Sequence, residues 1–369
     1  MANKKKSTRT TSPRGESDTR APAQRQIDKL DREIMALVQQ RAGLLKGRSR
    51  KELPAADLKA ALERIEHLAS ATKGPLEIQA MRSIFREILS GTQSTLRETR
   101  VAYLGPEFTY SHLAAIERFG QSATLVPVAT IAAVFEAVER GHADFGMVPI
   151  ENSTDGRVAD ALECLSRSPV QMCGEVPLRI RHCLLANCQG DEIKRIYSKR
   201  QPLSQCRNWL SQNLPEIPQV EVASSADAAR LAASESGAAA IASEQAGINH
   251  GVAVFVRGIE DNQDNVTRFA VIGLKSGKKT GHDKTSLVFE IDHQPGALAD
   301  AMGIFKRQRL NMTWIESFPL PGQRGRYLFF VEFQGHASEL RARRALAALA
   351  KRATRLTVLG SYAQAEPIG

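Results

Sequence analysis

Small hydroxyl and amide side chains stand in five short motifs between residues 105 and 269, and they are the groups best suited to chemistry. Such side chains, beside backbone N–H groups at strand ends and helix starts, recognise carboxylates and hydroxyls. The candidates are Thr109, Ser111, Asn152, Ser153, Ser198, Gln205, Ser243, Thr267 and Arg268. Their occurrence together in one segment favours a binding site for a small polar molecule.

Each candidate also has a structural interpretation. Ser and Thr before a helix commonly cap it, and Asn152 is a residue type that holds turns. Arg268 suits a carboxylate partner by type. It alternates with Thr267 on a predicted strand, however, so a structural ion pair on the other face is an equal expectation.

Several other kinds of site have no sequence signature. The chain has no Gly-rich phosphate loop, zinc pattern or nucleophile elbow, so we expect neither a metal nor an organic cofactor. Its five cysteines form no CxxC pair, which is typical of reduced thiols in a cytoplasmic protein. No apolar run could span a membrane. The net charge of +10 is spread over separate regions, so we expect no nucleic-acid partner.

The elements that must position these residues alternate between strand and helix from about residue 100 to 274. Strands are predicted at 101–105, 145–149, 181–186, 238–242 and 268–274, with helices between them. This alternation predicts parallel sheets covered by helices. The length suits two small α/β lobes with a ligand cleft between them.

The flanking segments have different periodicities. Residues 1–21 are basic and polar, and they predict a disordered tail. Apolar stripes within residues 22–98 predict three helices whose thin core favours burial against a second copy, hence a homodimer. After a polar linker at 275–284, residues 285–365 have a βαββαβ pattern, which is typical of a ferredoxin-like α+β unit.

Four motifs in the middle segment resemble a known family. The stretches 101–112 (VAYLGPEFTYSH), 148–158 (VPIENSTDGRV), 198–206 (SKRQPLSQC) and 265–269 (NVTRF) are similar, in order and spacing, to the signatures of prephenate dehydratases. From about Gln24 onward, the chain resembles the bifunctional P-proteins, which join chorismate mutase, prephenate dehydratase and a regulatory ACT domain.

The resemblance implies a multidomain fold with an activity for each part. Residues 22–98 would be an all-α, AroQ-type chorismate mutase-like domain, residues 100–274 a two-lobed dehydratase domain like periplasmic binding proteins, and residues 285–365 the ACT domain. The implied reaction converts prephenate to phenylpyruvate, CO2 and water in phenylalanine biosynthesis. Thr267 would be the essential residue, and the other candidates would form the substrate-binding shell.

A few positions depart from the family pattern. Phe108 stands where the family has Gly, Tyr110 replaces Phe, and Lys199-Arg200 replace His-Pro. None removes a residue assigned to the chemistry. Phe108 is expected to narrow the mouth of the cleft, and the two cations add positive charge toward a dianionic substrate.

The C-terminal segment resembles ACT domains at two motifs. Gly296-Ala297-Leu298 matches the GAL motif, and Glu316-Ser317-Phe318-Pro319 matches ESRP with Phe318 in place of Arg. The resemblance implies that phenylalanine binds here as a feedback effector, at an interface between subunits. Backbone N–H groups at Gly296 would take its carboxylate, and Asn311 and Glu316 its ammonium group.

The N-terminal helices resemble a mutase scaffold with an altered pocket. Arg41 falls on one arginine of the family, but Gln24, Glu52, Asp57 and Leu96 occupy other pocket positions. A carboxylate where negative charge develops would repel the transition state. We therefore expect mutase activity to be weak or lost. Chorismate turnover, a preference for arogenate and a non-catalytic amino-acid sensor remain as alternatives.

Overall fold

The computed structural model describes residues 22–46, 58–71, 74–292, 294–319 and 327–368. The predicted tail at 1–21 lies outside these residues. The chain divides into two compact units, Met1–Ser49 and Arg50–Gly369. The first unit contains helix α1 (Pro22–Lys46). Ile27, Leu30, Ile34 and Leu37 lie along α1, and each of these side chains is about half exposed or more.

The second unit begins with two further helices, α2 (Leu58–Ala71) and α3 (Ile78–Ser94), which pack on each other. Leu89 is buried between them, against Ala61 and Ile65. The helical N-terminal region predicted from the apolar stripes is therefore confirmed.

The segment from residue 100 to 273 forms two mixed sheets. Its strands are β1 (Arg100–Leu104), β2 (Thr124–Val128), β3 (Phe145–Asn152), β4 (Gly156–Arg157), β5 (Gln171–Arg179), β6 (Cys183–Ala186), β7 (Arg195–Ser198), β8 (Gln219–Glu221), β9 (Ala238–Ala242), β10 (Val254–Arg257) and β11 (Val266–Gly273). Its helices are α4 (Tyr110–Phe119), α5 (Ile131–Glu139), α6 (Ala159–Arg167), α7 (Arg200–Gln205), α8 (Arg207–Asn213), α9 (Ser225–Ser234) and α10 (Glu244–His250), with a 3₁₀ turn at Gly190–Glu192.

The expectation of parallel sheets is wrong in part. In the first sheet, of order β2-β1-β3-β11-β5, strand β11 runs antiparallel to both β3 and β5. In the second, of order β10-β6-β9-β7-β8, strand β6 runs antiparallel to β9 and β10. The reason is that β5 leads out of the first sheet and β11 leads back into it, so the two strands lie side by side in opposite directions.

The last segment adds a third sheet. It contains β12 (Asp283–Glu290), α11 (Ala297–Arg307), β13 (Met312–Pro319), β14 (Tyr327–Gln334), α12 (Leu340–Ala350) and β15 (Arg355–Ala363). The strands are all antiparallel, in the order β13-β14-β12-β15. One face of this sheet packs on α11 and α12 through Phe289, Phe305 and Phe333.

The other face of the third sheet packs on the first sheet. Val148 and Ile150 of β3 share one buried core with Phe330 of β14 and Tyr362 of β15. Gly360, with φ of 148°, lets β15 approach β5 so closely that an added Cβ would collide with the Met172 backbone. In the described part of the chain, no helix is long and apolar enough to cross a bilayer.

Candidate active site

Asn152, at the end of β3, is the centre of a buried hydrogen-bond cluster. Its Nδ2 donates to Thr267 Oγ1 at 2.8 Å and to Asn265 Oδ1 at 2.9 Å. Its Oδ1 accepts the backbone N–H groups of Thr154 and Asp155 at 2.9 and 3.0 Å. Asn152 pairs with Thr267 in the register of β3 and β11, so the strand pairing sets the contact between them.

The donor in this contact belongs to Asn152, which determines the direction of the Thr267 hydroxyl. Because the hydroxyl oxygen accepts from Asn152, its own hydrogen must point elsewhere. The side chain of Thr267 is partly exposed. The hydroxyl is therefore held as a directed hydrogen-bond donor.

A second chain of hydrogen bonds joins the first sheet to the second. Asp155 lies in the turn after β3, and its Oδ2 accepts from Gln205 Nε2 at 2.8 Å and also from Gln201 Nε2. Gln205 Oε1 lies 2.9 Å from His182 Nε2. Two amide donors on α7 thus converge on one carboxylate oxygen.

The protonation of His182 follows from its surroundings. Asp155 can only accept, so Gln205 must present its NH2 to Asp155 and its oxygen to His182. His182 therefore carries its proton on Nε2. Burial lowers the pKa of His182, so the ring is neutral at pH 7. His182 and Asp155 therefore hold the two ends of the Gln205 amide, with its oxygen toward His182 and its NH2 toward Asp155.

Two other candidates of the predicted binding shell, Ser198 and Ser243, lie at the ends of the neighbouring strands β7 and β9, where their hydroxyls contact backbone atoms. Ser198 donates to Ile241 O at 2.8 Å, and Ser243 caps α10 by accepting from Ala246 N–H. Thr109 donates to Pro106 O at 2.9 Å. The capping interpretation of Ser243 is therefore confirmed. Ser111 is buried in the first turn of α4.

Arg268 points away from this cluster, and its expected substrate contact needs correcting. Its guanidinium donates to Glu151 at 2.8 Å, to Glu175 at 3.0 Å and to Glu332 at 2.7 Å. It also lies 5.2 Å from the centre of the Trp314 ring. Alternation along β11 places Arg268 on the face opposite Thr267, toward the third sheet. The structure thus favours the ion-pair interpretation.

Four polar residues of the site were not predicted from the sequence, namely Asp155, His182, Gln201 and Asn265. Asn265 stands in the NVTRF motif two positions before Thr267, so it shares a face with Thr267 in an extended strand. This spacing was a signal that could have been used. Asp155 and His182 carried no such signal, because their contacts depend on how the two sheets meet.

The candidate effector residues are spread along the third sheet and its first helix. Gly296 has a φ of 81° and precedes the first turn of α11, which contains Ala297 and Leu298. Asn311 donates to Gln334 Oε1 at 3.1 Å. On β13, Ser317 is exposed.

Glu316 and Phe318 share one partner from the first sheet. Arg157 of β4 donates to Glu316 Oε2 at 2.8 Å, and its guanidinium carbon lies 4.9 Å from the centre of the Phe318 ring. The guanidinium of Arg157 therefore lies beside Phe318, at the position where the resemblance to ACT domains implies an arginine.

The positions that the family resemblance assigns to a mutase pocket lie only partly within the described residues. Gln24 donates to Asp28 at 3.0 Å, and burial lowers the pKa of Arg41. Leu96 is half-buried just after α3. Glu52 and Asp57 lie outside the described residues. Within the described ranges, no group of three or more His, Cys, Asp or Glu side chains could hold a metal ion.

Comparison with known proteins decides the family. The prephenate dehydratase family model matches residues 101–277, which contain the Asn152 cluster. A bifunctional chorismate mutase/prephenate dehydratase of Aquifex aeolicus is 39% identical, over 92% of this chain and 97% of the relative. The chain belongs to the bifunctional chorismate mutase/prephenate dehydratase family.

Relatives outside the bifunctional proteins share part of the chain. Arogenate dehydratase 2 of Petunia hybrida is 38% identical, over 71% of each chain. The crystal structure of a prephenate dehydratase from Arthrobacter aurescens in complex with L-Phe matches with a TM-score of 0.67 and 31% identity, covering 72% of this chain and 90% of that one. The dehydratase family thus shares its mixed α/β fold with this chain.

Proposed function

We infer that the chain converts prephenate to phenylpyruvate, carbon dioxide and water. The observation that carries this inference is the orientation of the Thr267 hydroxyl in the NVTRF motif of the family. The hydroxyl oxygen accepts a hydrogen bond from Asn152, so its hydrogen can be donated to the substrate. In the reaction, the electron pair of the bond to the ring carboxylate moves into the ring, which becomes aromatic. The bond to the ring hydroxyl breaks with its electron pair on oxygen, and this oxygen takes a proton to leave as water.

The protein's task in this reaction is to hold two carboxylates and to help the hydroxyl leave. A threonine hydroxyl is too weak an acid to transfer its own proton readily near neutral pH. It can stabilise negative charge on the departing oxygen by a hydrogen bond that strengthens as the bond breaks. The convergent amide donors of Gln201 and Gln205 suit a substrate carboxylate.

The third sheet is proposed to act as a ferredoxin-like ACT domain that binds phenylalanine as a feedback effector. Its βαββαβ order and its strand order support this assignment. The Arthrobacter aurescens relative was crystallised with L-Phe. Arg157 contacts Glu316 and Phe318 of the proposed effector segment and lies two residues after Asp155. This contact is proposed to couple effector binding to the active-site residues Asn152 and Asp155.

The helical region is proposed to keep a mutase-like scaffold with weak or no activity. Gln24, Glu52, Asp57 and Leu96 at pocket positions support the loss of activity. The exposed apolar side chains along α1 support a role in a homodimer, because a dimer interface would bury them.

One assay tests the dehydratase and mutase proposals together. Purified protein receives chorismate, prephenate or arogenate in separate cuvettes, and formation of phenylpyruvate or phenylalanine is followed against enzyme-free controls. Product from prephenate but not chorismate is the expected result. Product from chorismate as well would contradict the loss of mutase activity. Product from arogenate alone would show that arogenate, rather than prephenate, is the substrate. No product from any of the three compounds would favour a non-catalytic amino-acid sensor.

A further inference from the structure

The side chain of Asn265 is 1% exposed and uses only one end of its amide. Oδ1 accepts from Asn152 Nδ2 at 2.9 Å and from Ser153 Oγ at 3.5 Å. Nδ2 is buried, and within the described residues it has no hydrogen-bond partner. One strong donor therefore remains unpaired beside the candidate catalytic hydroxyl.

The surrounding hydrogen bonds fix this orientation of the amide. Asn152 Oδ1 is committed to the N–H groups of Thr154 and Asp155, so Asn152 must present its NH2 to Asn265. A flipped Asn265 amide would place NH2 against NH2, with no acceptor between them. The unpaired Nδ2 is thus a consequence of the network rather than of an arbitrary assignment of oxygen and nitrogen.

An unpaired buried donor costs about 1–3 kcal/mol, so native proteins satisfy nearly all of them. An acceptor brought by a ligand removes this cost. Asn265 immediately precedes β11 and Thr267 is its second residue, and both contact the same Asn152 Nδ2. In extended chain, positions two apart share a face. The side chains of Asn265 and Thr267, each with one hydrogen-bond donor, therefore lie on one side of the strand.

We propose that Asn265 Nδ2 is a second donor to the departing hydroxyl oxygen of the substrate, acting together with Thr267. As the bond to the ring breaks, its electron pair goes to this oxygen, and two fixed donors stabilise the charge until the oxygen takes up one proton from the bulk solvent and leaves as water. No proton is transferred from Asn265 itself. This assignment rests on the proposed dehydration of prephenate.

The test replaces the donor and keeps the acceptor. Asn265→Asp retains an oxygen for Asn152 and Ser153 but puts an acceptor where Nδ2 stood. We expect kcat for prephenate to fall by about 10²- to 10³-fold, as when one such donor is removed elsewhere, with KM changed less than about twofold. Burial raises the pKa of a carboxyl group. Protonation of Asp at this position should then restore a donor, so kcat of the variant rises relative to wild type as the pH falls.

Circular dichroism shows whether Asn265→Asp folds. If it does not fold, Asn265→Ala serves as the second variant. Asn265→Ala should also lower kcat, but its kcat should not rise relative to wild type at low pH. The matched control is Asn249→Asp, on the exposed surface of α10, with unchanged kinetics. Unchanged kcat in folded Asn265→Asp or Asn265→Ala would overturn the assignment, as would a rise in KM alone. Failure of the wild-type protein to turn over prephenate would instead remove the proposed function.

Discussion

Asn152 Nδ2 lies 2.8 Å from Thr267 Oγ1, and it is the donor in that contact. The direction of this hydrogen bond gives the hydroxyl its role, because an oxygen that accepts from Asn152 can only donate outward. Neighbouring strands β3 and β11 hold the two side chains in register. The candidate catalytic group is thus positioned by strand pairing, which is more rigid than a loop.

Removal of the Thr267 hydroxyl should abolish turnover while leaving the fold intact. Thr267→Val keeps the shape and branching of the side chain, so we expect kcat for prephenate to fall by at least about 10²-fold. Circular dichroism and thermal unfolding verify the fold. The control is Thr124→Val on β2, whose hydroxyl donates to Glu98 at 2.8 Å. Full activity in Thr267→Val would contradict the assignment of Thr267 as the catalytic donor.

Reversing the direction of the hydrogen bond between Asn152 and Thr267 should lower turnover nearly as much as removing the hydroxyl. In Asn152→Asp the carboxylate can only accept, so the Thr267 hydroxyl would turn its hydrogen toward residue 152 and away from the substrate. We expect kcat to fall by about 10²-fold, with a much smaller change in KM. A variant with normal kcat would show that the direction of this bond is irrelevant.

Asp155 is expected to compete with the substrate for the amides of Gln201 and Gln205. In Asp155→Ala both donors become available and one negative charge is removed, so KM for prephenate should fall about fivefold, equivalent to ~1 kcal/mol. Asp160→Asn, in the first turn of α6, controls for the loss of an exposed charge. A rise in KM would mean instead that Asp155 holds the two sheets together around the substrate.

Phenylalanine should bind to the third sheet, with heat detected by calorimetry. Gly296 and Gly141 both have positive φ, 81° and 70°, and an added Cβ at either meets no atom within 4 Å. Alanine in that conformation costs about 1–2 kcal/mol and shifts the backbone. Only Gly296→Ala should weaken phenylalanine binding, because only Gly296 begins the helix whose N–H groups are assigned to the ligand. Equal affinities in both variants would reject this site.

Local patterns predicted the elements of the fold better than their arrangement. Apolar periodicity located α1, α2 and α3, and motif spacing brought Thr267 and Asn152 to one site. The strand Gln171–Arg179 and the antiparallel direction of β11 were missed, because both depend on where the chain crosses between sheets. For the same reason, the sequence did not decide which face of β11 Arg268 occupies. It named Gln205 as a candidate but could not predict that Gln201 and Gln205 both donate to Asp155.

The ion-pair network around Arg268 should make the protein sensitive to acid and to loss of that arginine. Glu175 and Glu332 are fully buried carboxylates that Arg268 and Lys284 neutralise. Burial alone would raise the pKa of Glu332, but the two cations and hydrogen bonds from Tyr362 and Thr313 lower it below its usual value. A carboxyl group whose folded pKa is depressed adds stability above its unfolded pKa, about 4.3, and that stability is lost as the pH falls through the folded pKa.

Urea unfolding at a series of pH values measures both effects. At pH 7, Arg268→Leu should lose about 3–5 kcal/mol, because two buried carboxylates keep only Lys284 as a cationic partner. The control Arg140→Leu breaks an exposed pair with Glu136 and should cost only about 0.3–0.5 kcal/mol. Glu332→Gln should flatten the loss of stability below about pH 4.3. If Arg268→Leu were as stable as Arg140→Leu, the network would contribute nothing to joining β11 to the third sheet.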